Sequence, residues 1–153
     1  MTIKTLFPIL LFSLFLAAVF AGDASEIYTP SEKKRLASSK SLNSRIKIYD
    51  AAFERIRKEM EKGIRDDRFD DAARTLKTWS ALLNESQADI EANINPKKKP
   101  GRLRQYEIHL RQAISGLRNL RMKSPMELYD AFISFEDQAE ETRRKLMVFI
   151  FNM

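Results

Sequence analysis

Residues 42–64 read LNSRIKIYDAAFERIRKEMEKGI, and the spacing of their apolar positions decides the fold class. Leu42, Ile46, Tyr49, Phe53, Ile56, Met60 and Gly63/Ile64 follow the alternating four–three spacing of a heptad seam. Residues three and four apart share one face of an α-helix, so this segment presents a continuous apolar ridge that a neighbour has to cover. Gly63 and the Asp66-Asp67 pair mark its end.

Three further segments downstream repeat the pattern. Asp67 reads as the N-cap of the next helix, with Asp70 in its first turn, where carboxylates satisfy free N–H groups and complement the helix dipole. Its stripe is Phe69, Ala72/Ala73, Leu76, Trp79, Leu83, Ile90 and Ile94, stopped by Asn95-Pro96. Pro96 to Gly101 reads as an exposed basic loop. Leu103, Tyr106, Leu110, Ala113, Leu117 and Leu120 then carry a third seam, which ends at Lys123. Ser124-Pro125-Met126-Glu127 has capping-box spacing with Pro at the first helical position. It opens a fourth seam of Leu128, Phe132, Phe135, Ala139, Thr142, Leu146 and Phe149.

Upstream, Thr29-Pro30-Ser31-Glu32 is another capping box. Ser38, Ser39, Ser41 and Ser44 dilute the apolar pattern, so a helix begun there frays or breaks before Leu42. Residues 22–28 read as a loose lead-in. Four long ridged segments with short connections predict an all-α fold. The form expected is an up-down antiparallel helical bundle, or two packed helical hairpins. Trp79, Tyr49 and Tyr106 read as packing residues, with the tyrosine hydroxyls at the bundle edge.

The first two dozen residues have the features of an export signal. Lys4 supplies a positive n-region, and Leu6 to Ala21 is an apolar run interrupted only by Pro8 and Ser13. Val19-Phe20-Ala21 puts small aliphatic residues at the positions a signal peptidase reads, with a second site after Ala24. The domain expectation is therefore a signal peptide over 1–21 and one helical domain over 22–153. An uncleaved anchor is the competing reading, but 16 apolar residues fall short of the ~20 a span needs. With no cysteine, the leader cannot be a lipoprotein signal and the domain has no disulfide to lean on. Export to a periplasm or the cell exterior follows, a bacterial envelope being the natural setting.

Loss of Lys4 with the leader takes the formal charge from +6 to +5. Chemistry is conspicuous by its absence. No thiol nucleophile, His-Glu-x-x-His, Glu-x-x-His, Gly-x-Ser-x-Gly or phosphate-binding loop occurs. Asp66, Asp67, Asp70 and Asp71 lack the alternating ligands, central glycine and distant glutamate of a calcium loop, so helix capping explains them. The lone histidine, His109, lies off the seam and reads as a boundary residue. The expectation is a non-enzyme with no cofactor and no metal.

Two regions remain as candidate contacts. Residues 97–123 hold nine Lys/Arg against the single acid Glu107. Lys97, Lys98 and Lys99 sit in the loop, and Arg104, Arg111 and Arg118 recur at heptad intervals, with Arg121 beside them. Such a stripe either binds an external anion or pairs internally with the acids of the fourth segment, Glu127, Asp130, Glu136, Asp137, Glu140 and Glu141, or of the late second one, Glu85, Asp89 and Glu91. Internal matching is the first expectation. The second region is the apolar end, Leu146 to Phe151, which cannot all face one core. Met147, Val148, Ile150 and Phe151 are candidates for apolar contact, with burial inside the domain the first expectation. Arg143-Arg144-Lys145 precede them in an interfacial arrangement.

The functional expectation is an exported protein acting by surface interaction, in an adaptor, assembly or chaperone-like role. Its expected partner is another protein. The alternative is peripheral binding of anionic lipid or an envelope polyanion through 97–123. Nucleic acid fits poorly, because no aromatic stacking platform interleaves the cations.

Overall fold

The computed structural model describes residues 27–98 and 100–151. The leader with its cleavage points after Ala21 and Ala24, and Lys99, lie outside the described residues. The chain is all-α. Its helices are α1 (Pro30–Ser38), α2 (Leu42–Arg65), α3 (Phe69–Asn93), α4 (Gly101–Met122) and α5 (Tyr129–Phe151), with a 3-10 turn at Met126–Leu128. No strand occurs among the described residues, and no helix among them is long and apolar enough to cross a membrane.

The Thr29 capping box forms as the spacing predicts. Glu32 donates its backbone N–H to Thr29 Oγ1 at 3.2 Å, and Thr29 donates its own to Glu32 Oε2 at 2.8 Å. The serines then end α1. Ser38 and Ser39 hydroxyls both bond the Arg35 carbonyl, competing with the backbone ladder, and Ser41 restarts the helix as N-cap of α2.

The lead-in is not loose at its end. Ile27 and Tyr28 are buried, and Arg55 of α2 donates to the Ile27 carbonyl at 2.8 Å while gripping Glu32 through Nε and Nη2. Two apolar residues just before a cap carry no period, which is why their burial against α2 escapes a pattern-based reading.

Asp67 also departs from its expected role. It does not cap α3, whose N-cap position is Arg68, without a side-chain bond. Instead Asp67 adopts φ 55° and terminates α2. Arg68 donates its N–H to the Gly63 carbonyl at 2.8 Å and Asp67 to Ile64 at 3.3 Å, the bond pair of a Schellman motif. Gly63 lies against Ala72 at this turn, so α2 and α3 approach closely.

Ser124 likewise caps nothing ahead of it. Its hydroxyl bonds back to the Leu120 carbonyl at 2.7 Å, closing α4, and the chain enters α5 through the 3-10 turn. At the other end, α4 lacks a local cap after Pro100, and Asn43 of α2 accepts the Arg102 N–H at 3.0 Å instead.

Pairings across the helices give their directions. Arg45, in the first turn of α2, bonds Asp89 near the end of α3, so these two run antiparallel. Arg143 to Glu107 and Arg121 to Glu136 make α4 and α5 antiparallel. Asn43 meets Arg102 and Asp50 meets His109, so α2 and α4 lie side by side in the same sense. Gln138 bonds Ser80 and Thr142 bonds Gln87, giving α3 and α5 the same relation.

All four long helices meet in an aromatic knot. Phe53 (α2) lies 5.0 Å from Trp79 (α3) and 5.9 Å from Tyr106 (α4), and Trp79 stacks on Phe135 (α5) at 4.6 Å. Tyr106 is wholly buried and shares a hydrogen bond with Ser86 at 2.8 Å, so its hydroxyl does not reach the edge as expected. Burial pushes this phenol up. Tyr49, by contrast, donates its hydroxyl to Asp89 at 2.7 Å near the bundle surface.

Candidate functional site

On α4 the positions 104, 108, 111, 115, 118 and 122 follow four–three spacing and share one side of the helix. The core residues Leu103, Tyr106, Leu110, Ala113 and Leu117 occupy the opposite side. The outward stripe therefore reads Arg104, Ile108, Arg111, Ser115, Arg118, Met122, without an acid. Arg104, Arg111 and Arg118 are exposed, and none has an ion-pair partner among the described residues. Internal charge matching, the first expectation for this stripe, fails for these three.

It does hold for Arg121, which is half-buried and bonds Glu136 at 3.2 Å. The reason is position. Arg121, Ile114 and Glu107 are spaced by seven on the flank of α4 that faces α5, whereas the heptad 104–111–118 points outward. Glu107 itself is bound by Arg143 at 2.9 Å, and Arg143 also reaches Glu140. The remaining unpaired acids of α5, Asp130 and Asp137, sit about a quarter-turn from this seam.

The apolar end of α5 comes to the start of α4 because the two helices are antiparallel. Leu146 is buried, Met147, Phe149 and Ile150 are half-buried, and Val148 and Phe151 stand 52% and 70% exposed. The domain thus absorbs most of this end, in line with the first expectation, and leaves Val148 and Phe151 to solvent. Arg104, Ile108, Arg111, Met147, Ile150 and Phe151 line one small cleft of about 170 Å³, with the Glu107–Arg143 pair in its wall. Two regions that are far apart in sequence form one face. Lys97 and Lys98 are exposed on the adjoining loop, which folds back through a Lys98 N–H bond to Asn95 and an Asn95 side-chain bond to the Lys97 N–H.

The far end of the stripe is apolar as well. Met122 and, just past the turn, Met126 are 69% and 80% exposed. Neither residue stands out in the sequence as a contact, because a seam search discards apolar residues that fall off the core face.

Other polar constellations serve packing. His109 Nδ1 lies 2.6 Å from Asp50 Oδ1 and its Nε2 lies 2.7 Å from Gln105, tying α4 to α2. Asp89 is buried enough to raise its pKa, but bonds from Arg45 and Tyr49 outweigh that and hold the carboxyl below its ordinary value. A polar cleft of about 580 Å³ lies beside the α2–α3 turn, where Asp71 is bound by Arg68 and Arg74. Among the described residues no three His, Cys, Asp or Glu side chains gather to hold a metal ion. No match to this chain is found among protein-family models, curated proteins or solved structures.

Proposed function

We propose that this chain is an exported, non-enzymatic helical protein that acts by surface recognition, as an adaptor, assembly or chaperone-like component of a cell envelope. Its form is an up-down bundle of two packed hairpins, α2–α3 and α4–α5, a reading that the helix directions support. The contact region is the outward face of α4 together with the end of α5. One observation carries this: three exposed arginines with no ion-pair partner among the described residues line the outward side of α4, and two of them, Arg104 and Arg111, share a cleft with the exposed Phe151. Solvent-facing apolar side chains grouped with uncompensated charge mark an interaction site more often than isolated ones do.

Photo-cross-linking in the native cell tests the face. A photoreactive residue placed at Arg111 or Phe151 should form adducts, and one placed at the exposed Lys58 of α2 or Lys77 of α3 should not. Adducts from 58 and 77 as strong as those from the face would reject it. Mass spectrometry tests export. A mature N-terminus at Gly22 or Ser25 in the envelope fraction is expected, and an intact Met1 form confined to the cytosol rejects it.

A further inference from the structure

We infer that the partner of this face is an anionic phospholipid bilayer, on which α4 lies flat with apolar anchors at both ends of its arginine stripe. This rests on the contact-face reading above and adds the chemistry of what is contacted. Arg104 to Arg118 spans about 21 Å along the helix at ~1.5 Å per residue. Beyond Arg118 lies Met122, and beside Arg104 lie Ile108 and the exposed Phe151.

Shape separates a bilayer from a protein helix as the occupant. A partner helix needs a long apolar groove that takes side chains at i, i+3, i+4 and i+7. The arginine stripe meets a concavity at one end, the cleft of about 170 Å³ it shares with Phe151, and otherwise runs along the outward side of a single helix. A convex, acid-free stripe with protruding apolar residues is the form that seats on a headgroup layer, cations at the phosphates and apolar groups just below them. Glu107 on the flank of α4, and Glu136 and Glu140 on the neighbouring α5, are bound by Arg143 and Arg121, which neutralises them beside the stripe. Lys97 and Lys98 extend the positive field past the Phe151 end.

The test uses the leader-free chain 22–153, which holds every described element, with vesicles of phosphatidylglycerol and phosphatidylcholine or of phosphatidylcholine alone. Sedimentation at low salt should show binding to the anionic vesicles only, reversed at high salt. Replacing Arg104, Arg111 and Arg118 together by Gln should weaken partitioning about a hundredfold, since each surface cation contributes roughly fivefold. Phe151→Ser should weaken it about tenfold. All the substitutions are at exposed positions, and circular dichroism checks that helix content is unchanged. Equal binding to neutral vesicles, or a triple variant that binds as well as the parent, overturns the inference. So does binding to soluble polyphosphate as tight as to vesicles with Phe151→Ser without effect, which would assign the stripe to a polyanion. Cross-links from 111 and 151 to a protein, without vesicle binding, would remove the lipid and leave the contact face standing.

Discussion

Glu107 of α4 accepts a hydrogen bond from Arg143 of α5 at 2.9 Å, so the one acid of the basic segment is neutralised by a neighbouring helix rather than by the arginines around it. Both side chains are largely buried, at 12% and 23% exposure, which makes the pair more than a surface decoration. Removing one partner leaves a charge with little water to solvate it. Arg143→Gln should therefore cost about 1–3 kcal/mol in urea unfolding. Adding Glu107→Gln should recover most of that loss, because the stranded carboxylate is then gone. A double variant no better than the single one would mean that the pair contributes through packing alone.

Stability should fall in acid for a stated reason. Burial raises the Glu32 carboxyl, but bonds from Arg55 and the Thr29 N–H more than offset this and hold it below its ordinary 4.5. Asp89 is held below its ordinary 3.8 in the same way by Arg45 and Tyr49. A carboxyl whose folded pKa is depressed contributes stability that is fully present above its unfolded pKa. That contribution is lost as pH falls through the folded value. Unfolding free energy should be flat from about pH 7 to 5.5 and drop below about pH 4.5. Glu32→Gln and Asp89→Asn should each lose about 1–3 kcal/mol at pH 7. Each should also shallow the acid limb, as read from urea midpoints across a pH series.

The α2–α3 turn holds a side chain where glycine is favoured. Asp67 sits at φ 55°, a conformation that costs an L-residue roughly 1–2 kcal/mol, less for Asp and Asn than for others. Asp67→Gly should raise stability by up to about 1 kcal/mol, the gain limited by the extra freedom of glycine in the unfolded chain. Asp67→Val should lower it by about 1–2 kcal/mol. Had Asp67 been the N-cap of α3, Gly would have been near neutral and Asn the best replacement, so the ranking of the two variants discriminates between the roles.

Those two readings of Asp67 show where a sequence is legible and where it is not. The seams were legible because burial on one helix face has a period: Ile46, Phe53, Ile56 and Met60, or Leu103, Tyr106, Leu110 and Leu117, are all fully or nearly fully buried. The ends were less so. An Asp or Ser between two helices can cap the one ahead or close the one behind, and local spacing at Asp67 and Ser124 permits both. Links such as Asp50 to His109 depend on the register of two helices 59 residues apart, which no single-helix pattern contains. The contact face belongs to the same class. Its arginines were visible as a heptad, but their nearness to Phe151 follows only from the antiparallel lie of α4 and α5.

Trp79 is the chain's only tryptophan and the point at which α2, α3 and α5 touch through aromatic rings. It is fully buried, and its indole N–H has no acceptor among the described residues. Two effects then oppose each other on substitution. Trp79→Ala removes the ring from between Phe53 and Phe135 and should cost about 3–5 kcal/mol, the range for a large aromatic truncated in a core. Trp79→Phe leaves a smaller void and also removes a buried donor that finds no partner, so its cost should stay under about 2 kcal/mol. In the parent protein, Trp79 fluorescence should be blue-shifted and poorly quenched by iodide, turning red and accessible in a single transition with urea. Emission already red and quenchable in the native state would place the indole in water and break the four-helix core at its centre.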